Sequence, residues 1–225
     1  MIDKECLFNE IKNSLALKCR AYNDATDLIN MAETVVLEKI PVISAPPESI
    51  GSLWAWLEKE PVKIWGVFCL EMPKESEREQ VMSNLSSDIN QSFKKGADGA
   101  QIFIKYSELE SFVSELLPIR EDLFFNKGLC IGLNLDEIAP SEWTNVFLQL
   151  KIIRADALML GLSGNKKNNA GFVGHIYGLM EHFDPDFGGE LHFSFGNDYV
   201  KIEQAWRLAE KMRPELAKRL KFFLA

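Results

Sequence analysis

The chain lacks several things whose presence would decide its class at once. No apolar run approaches the ~20 residues that cross a bilayer, so no membrane partner is expected. The first twenty residues carry Asp3, Lys4, Glu5, Glu10 and Lys12, which excludes the apolar core of a secretory leader. There is no C-x-x-C pair among the four cysteines, Cys6, Cys19, Cys69 and Cys130. They are therefore expected as reduced thiols of a cytoplasmic protein rather than as disulfides. No basic stripe exists, and the formal net charge is −8. Backbone recognition of nucleic acid needs clustered Lys and Arg, so that partner is not expected either. G-x-G-x-x-G, the Walker spacing and the G-x-S-x-G elbow are all missing, which removes the usual dinucleotide, nucleotide and serine-hydrolase signatures.

Metal chemistry also finds no support. The only histidines are His175, His182 and His192. The first two are seven residues apart, too far for the i, i+4 zinc pair. His192 lies early in a strand-like run and reads as a hydrogen-bonded core histidine. No metal and no cofactor are expected.

What is present is a regular alternation. Hydrophobic residues make up 47% of 225 residues, enough for one large core, and a single domain over 1–225 is expected. From residue 39 onward six short apolar runs alternate with helical patterns: Ile40–Ala45, Lys63–Glu71, Ala100–Tyr106, Leu129–Asp136, Asp156–Ser163 and Glu190–Asn197. Strand–helix alternation implies parallel pairing through right-handed crossovers. Between the runs, Val81, Met82, Leu85, Ile89 and Phe93 form one apolar stripe, and Phe172, Val173, Ile176, Tyr177 and Met180 another. Ser76 with Glu79 and Ser107 with Glu110 read as capping boxes. Asp198 reads as an N-cap. Pro118 is expected to limit its helix.

Residues 1–38 read as two amphipathic helices packed on the repeats, with no strand. Lys221–Ala225 can supply a seventh strand. The expected fold is an α/β TIM-type (β/α) barrel, short of the full strand count, with an open doubly wound sheet as the alternative. The strands favour the barrel. In Leu129–Asp136, Leu129, Ile131, Leu133 and Leu135 alternate with Cys130, Gly132, Asn134 and Asp136. One face thus meets helices and the other meets a lumen of mixed polarity.

Two segments carry a family resemblance. Lys95-Gly-Ala-Asp-Gly-Ala-Gln-Ile-Phe resembles the "GAD" lead-in to a strand of phosphate-binding TIM barrels, and Arg154-Ala-Asp-Ala-Leu-Met-Leu-Gly resembles a second. With Ile131-Gly132 and Ala155-Asp156, the pattern is most similar to thiamine-phosphate synthases, and class I aldolases share its general look. The resemblance implies the barrel and a phosphorylated or otherwise small anionic ligand. Where that family has a Gly-Gly-Ile phosphate turn, this chain has Phe195-Gly196-Asn197-Asp198.

Active sites of such barrels lie at the C-terminal ends of the strands. Extrapolating each alternation to its last lumen-facing residue gives Glu71, Lys105, Asn134 and Asp136, and Ser163, with Ser44 closing the first run and Asn197 or Gly196 the last. Lys105 flanked by Glu71 and Asp136 is the expected catalytic group. Between carboxylates the ammonium serves as a clamp for an anionic substrate, and a Schiff-base lysine is the alternative. The glycine- and lysine-bearing loop with Ser163, Gly164, Asn165, Lys166 and Lys167 precedes a helix start and is expected to hold the anion, with Asn134 and Asn197 beside it. The expected activity is a lyase, aldolase or isomerase reaction. A non-catalytic barrel that binds a ligand or protein is the alternative. The aromatic content, with Trp54 and Trp56 close together, suggests a homodimer.

Overall fold

The computed structural model describes residues 4–19, 25–123, 126–162 and 169–224. Eight parallel strands close into a barrel in sequence order. They are β1 (Leu15–Lys18), β2 (Val42–Ala45), β3 (Lys63–Cys69), β4 (Gly99–Phe103), β5 (Gly128–Asn134), β6 (Ala157–Gly161), β7 (Glu190–Phe193) and β8 (Leu220–Leu224). The helices are α1 (Lys4–Ile11), α2 (Ala25–Leu37), α3 (Ile50–Leu57), α4 (Arg78–Lys94), α5 (Leu109–Asp122), α6 (Trp143–Ile153), α7 (Asn169–Glu181), α8 (Tyr199–Met212) and α9 (Pro214–Ala217).

The missing strand lay in the segment read as helical. Leu15, Ala16, Leu17 and Lys18 form β1, which pairs with β2 on one side and β8 on the other. Four residues are too few for a period to declare itself. Leu15 and Cys19 also happen to continue the spacing of Phe8 and Ile11, so the helix pattern absorbed them. With β1 and β8 in place the sheet has no free edge.

Two cores result. The larger lies between strands and helices. Trp143, Val146, Phe147 and Leu150 of α6 are all fully buried in it, as are Phe112 and Leu116 of α5. Phe193 of β7 stacks on Phe222 of β8, ring centres 5.6 Å apart. The smaller core is the lumen, with Ala16, Val42, Trp65, Cys130, Ala157, Met159 and Phe223. Its aromatic rings are admitted by glycine on the neighbouring strands. A Cβ on Gly99 would lie 2.6 Å from the Trp65 ring, and one on Gly132 would lie 2.5 Å from Phe103.

The helix starts differ from the capping boxes expected. Single 3-10 turns over Glu75–Glu77 and Tyr106–Glu108 precede α4 and α5, and neither helix has a side-chain cap. Ser76 and Ser107 fall inside those turns, which moves the helix start past them. Pro118 does not end α5, which runs on to Asp122. Asp198 does cap α8, accepting the backbone N–H of Lys201 at 3.2 Å.

Candidate functional site

The strands end earlier than their apolar runs, and this relocates the expected site. β3 stops at Cys69, β4 at Phe103, β5 at Asn134 and β7 at Phe193. Glu71, Lys105, Asp136 and Asn197 all lie beyond those ends, and all four are exposed. Lys105 is 61% exposed and its ion pair, 3.7 Å long, is with Glu108 of its own turn. The pairing expected with Glu71 or Asp136 is not made. The reason is local: the 3-10 turn after β4 turns the chain at Lys105 and sets Glu108 beneath it. Asp136 sits in a 3-10 turn of its own, Leu135–Glu137. Ser163, Gly164, Asn165, Lys166 and Lys167 lie outside the described residues. Asn134 is placed as expected, at the lumen end of β5, and donates its amide to Glu137 at 2.7 Å.

The strand registers arrange the lumen in layers drawn from alternate strands, the usual consequence of barrel tilt. Ala16, Trp65, Cys130 and His192 of the odd strands make one layer. Ser44, Gln101, Met159 and Phe223 of the even strands lie above it, toward the C-terminal mouth. Lys18, Val67 and Gly132 make the next. Phe103, Asn134, Gly161 and Cys69 complete the mouth.

Three features of that stack matter chemically. First, Lys18 is half-buried, with its Nζ 5.5 Å from the centre of the Phe103 ring. Secondly, Gln101 has no accessible surface, yet its amide nitrogen and its amide oxygen both lack a hydrogen-bond partner. Thirdly, Ser44 is equally buried and its hydroxyl also has none. Burying such groups unpaired costs about 1–3 kcal/mol each, so a fold seldom keeps three such atoms together unless something else satisfies them. The alternation that leads to Lys105 also puts Gln101 on the lumen face, and Ser44 closes the first run, but neither was among the residues expected to act on a ligand. Sequence reading missed Lys18 altogether, because β1 was read as helix.

Below this layer His192 is a fully buried hydrogen-bonded histidine, as expected. Its Nε2 lies 2.9 Å from Glu190 Oε2 and its Nδ1 lies 4.0 Å from Cys130 Sγ. Burial holds the imidazole below its ordinary pKa, against the opposing pull of Glu190. Burial also pushes the Cys130 thiol well up. The consistent protonation is neutral imidazole donating from Nε2 to an ionised Glu190, with Nδ1 facing a thiol. At the rim, Tyr106 donates to Glu142 at 2.9 Å. Burial first, then Glu142, pushes its phenol up to about 12, so it is a donor and not a base.

Among the described residues no group of three or more His, Cys, Asp or Glu could hold a metal ion, and no helix is long and apolar enough to cross a membrane.

No protein-family model and no curated protein matches the sequence. Solved structures do match the fold. Deoxyribose phosphate aldolase from Aeropyrum pernix, a tetramer, superposes with a TM-score of 0.70 at 11% identity, over 96% of this chain and 86% of its own. An aldolase named QR15 gives 0.67 at 13%, over 100% and 92%. A candidate copper-homeostasis protein, CutC from Streptococcus agalactiae, gives 0.62 at 13%, over 93% and 96%. The chain has the TIM-barrel fold. Identities this low carry the fold alone, and the neighbours differ in function among themselves.

Proposed function

We propose that the barrel binds a small anionic carbonyl compound in its C-terminal mouth and acts on it as a lyase of the aldolase type, with Lys18 as the central residue. The observation that carries this reading is the lysine standing one layer above three buried polar atoms without partners. A carbonyl or hydroxyl oxygen lowered between them would accept from the Gln101 amide and exchange a hydrogen bond with Ser44 Oγ. The Phe103 ring faces the Lys18 ammonium in a cation–π contact. The ammonium polarises the carbonyl and stabilises the enolate left when the carbon–carbon bond breaks. After losing a proton, the same amine can add to the carbonyl and form an imine with release of water. The aldolase neighbours make carbonyl cleavage the first chemistry to try. Lys105, Glu71, Asp136 and Asn197 belong to the outer rim in this reading. Lys166 and Lys167 are the proposed partners of a phosphate or carboxylate on the substrate.

A second reading is a non-catalytic, ligand-binding barrel. It is favoured by the polar layers themselves: none of the described side chains in the layers from Ser44 up to Asn134 is a carboxylate or an imidazole that could take the proton. Association as a homodimer fits either reading, with Trp54 and Trp56 at 43% and 57% exposure on α3.

The test is cleavage of phosphorylated aldols, 2-deoxyribose 5-phosphate among them, with borohydride added to trap any imine. Lys18→Met is expected to lower cleavage by at least ~10²-fold, as losing a stabiliser of the developing charge does. Lys105→Ala is expected to cost far less. Peptide mass spectrometry locates any trapped adduct, expected on Lys18. Cleavage that survives in Lys18→Met, or an adduct on Lys105, rejects the assignment. Binding without cleavage selects the second reading.

A further inference from the structure

The opposite end of the barrel, the N-terminal mouth, holds an open cavity of about 460 Å³. That volume lies in the range of small-ligand sites. Its floor is Trp65, whose ring is held against the backbones of Gly99 and Gly128. Pro41, Val42 and Pro61 add apolar wall. The cavity is separated from the C-terminal mouth by the packed layer of Ala16, Trp65, Cys130 and His192.

The charges around it fall into two sets. Asp98 accepts the Ile64 N–H at 2.9 Å, Asp156 accepts the Leu129 N–H at 2.8 Å, and Lys127 donates to the Ala97 carbonyl at 2.5 Å. These three are occupied in closing the strand starts. The other set has capacity to spare. The Lys63 side chain makes no ion pair or hydrogen bond among the described residues, its backbone N–H alone donating, to the Pro41 carbonyl at 2.9 Å. Lys221 gives one of its three protons to the Asn13 carbonyl at 2.9 Å. Glu190 engages His192 through Oε2 and leaves Oε1 unused. Lys63, Lys221 and Glu190 all line the cavity, and both lysines act electrostatically on the Glu190 carboxyl.

We propose that this mouth is a second ligand site, for a small carboxylic acid bearing an adjacent hydroxyl or amine and an apolar body. The carboxylate bridges Lys63 and Lys221 by charge-assisted hydrogen bonds. The neighbouring O–H or N–H donates to Glu190 Oε1. The apolar body lies on Trp65 and against Val42, the two proline rings closing its side. Two ammonium groups against one carboxylate leave a single positive charge in this set, which a hydroxy acid neutralises, while an amino acid sets its carboxylate on the lysines and its ammonium on Glu190. An inorganic anion would use the lysines but neither Glu190 nor the aromatic floor.

His192 supplies a reporter specific to this end, because it touches Glu190 and the Trp65 ring, 5.7 Å between ring centres. With three histidines in the chain, its imidazole signals can be followed by NMR in the full-length protein. Titration with 3-phenyllactate and with phenylalanine is expected to shift the His192 signals saturably. Inorganic sulfate, which has no O–H for Glu190 and no apolar body for Trp65, should bind at least ~10-fold more weakly. Lys18→Met should leave the titration unchanged, which separates this site from the C-terminal mouth. Lys63→Ala/Lys221→Ala should weaken binding at least ~10-fold. Lys63→Glu, at an exposed side chain, repeats the test should the double variant melt early. No saturable shift with either acid, undiminished binding in the lysine variants, or loss of binding in Lys18→Met overturns the proposal.

Discussion

His192 shows what a single buried residue contributes. It is enclosed by the Trp65 and Phe223 rings and hydrogen-bonded to Glu190. Its folded-state pKa is lowered, chiefly by burial, so the unfolded chain binds a proton before the folded one does. The stability it supports is therefore complete above the ordinary histidine value of about 6.5 and declines as pH falls below it. Glu190 is also lowered, first by the His192 hydrogen bond. Its contribution persists to lower pH, being lost only as pH falls below the ordinary carboxylate range. Urea midpoints measured at pH 7.5 and 5.5 should drop in the parent protein and drop much less in His192→Gln. Equal drops in both would show that some other group carries the dependence. The lysines at this scale teach a different lesson. Lys105 was legible as a residue one step past a strand, but which way it points was decided by the turn that follows. Lys18 had no such signal, since nothing in Leu-Ala-Leu-Lys distinguishes a strand from a helix turn.

The two Gly/Ala-Asp segments that suggested a phosphate-binding barrel have a structural use at the level of elements. Asp98 precedes β4 and accepts the N–H of Ile64 in β3, and Asp156 precedes β6 and accepts the N–H of Leu129 in β5. Each aspartate thus satisfies a backbone donor of the preceding strand, where the ladder has not yet begun. Asp156 also meets Arg120 of α5 at 3.2 Å, tying a helix end to the same corner. The motif was legible because this geometry needs a short acceptor at a fixed place before the strand. What it recognises is the chain itself, at the mouth remote from the proposed carbonyl site. Asp156→Ala should cost about 1–3 kcal/mol, the penalty for a buried N–H left unpaired. Asp156→Asn, which keeps an acceptor, should cost less. Denaturant unfolding checks both, and an Ala variant as stable as the parent would remove the capping role.

Closure is a property of the whole molecule. β1 pairs with both β2 and β8, bringing Leu15 beside Phe222. Without β1, two strand edges with unpaired backbone groups face outward, a template for aggregation. Removing residues 1–19 is therefore expected to abolish cooperative melting and give aggregated protein. A soluble truncation with a sharp transition would show that the remaining seven strands close without it. The large core, by contrast, needed no closure to be read. The stripes on α4 and α7 and the alternation in β5 follow from the 3.6- and 2-residue periods, which long elements display on their own.

The sequence by itself determined the strand–helix alternation and the face each long element buries. Those follow from local periods. The tertiary structure alone decided that a four-residue segment is a strand, because its partners, β2 and β8, lie beyond a helix and at the far end of the chain. It also decided which lysine stands in the lumen. A strand's last inward position depends on where its ladder stops, and the neighbouring strands set that stop. Gln101, Ser44 and Lys18 are far apart in sequence, and only the barrel's tilt stacks them into one mouth.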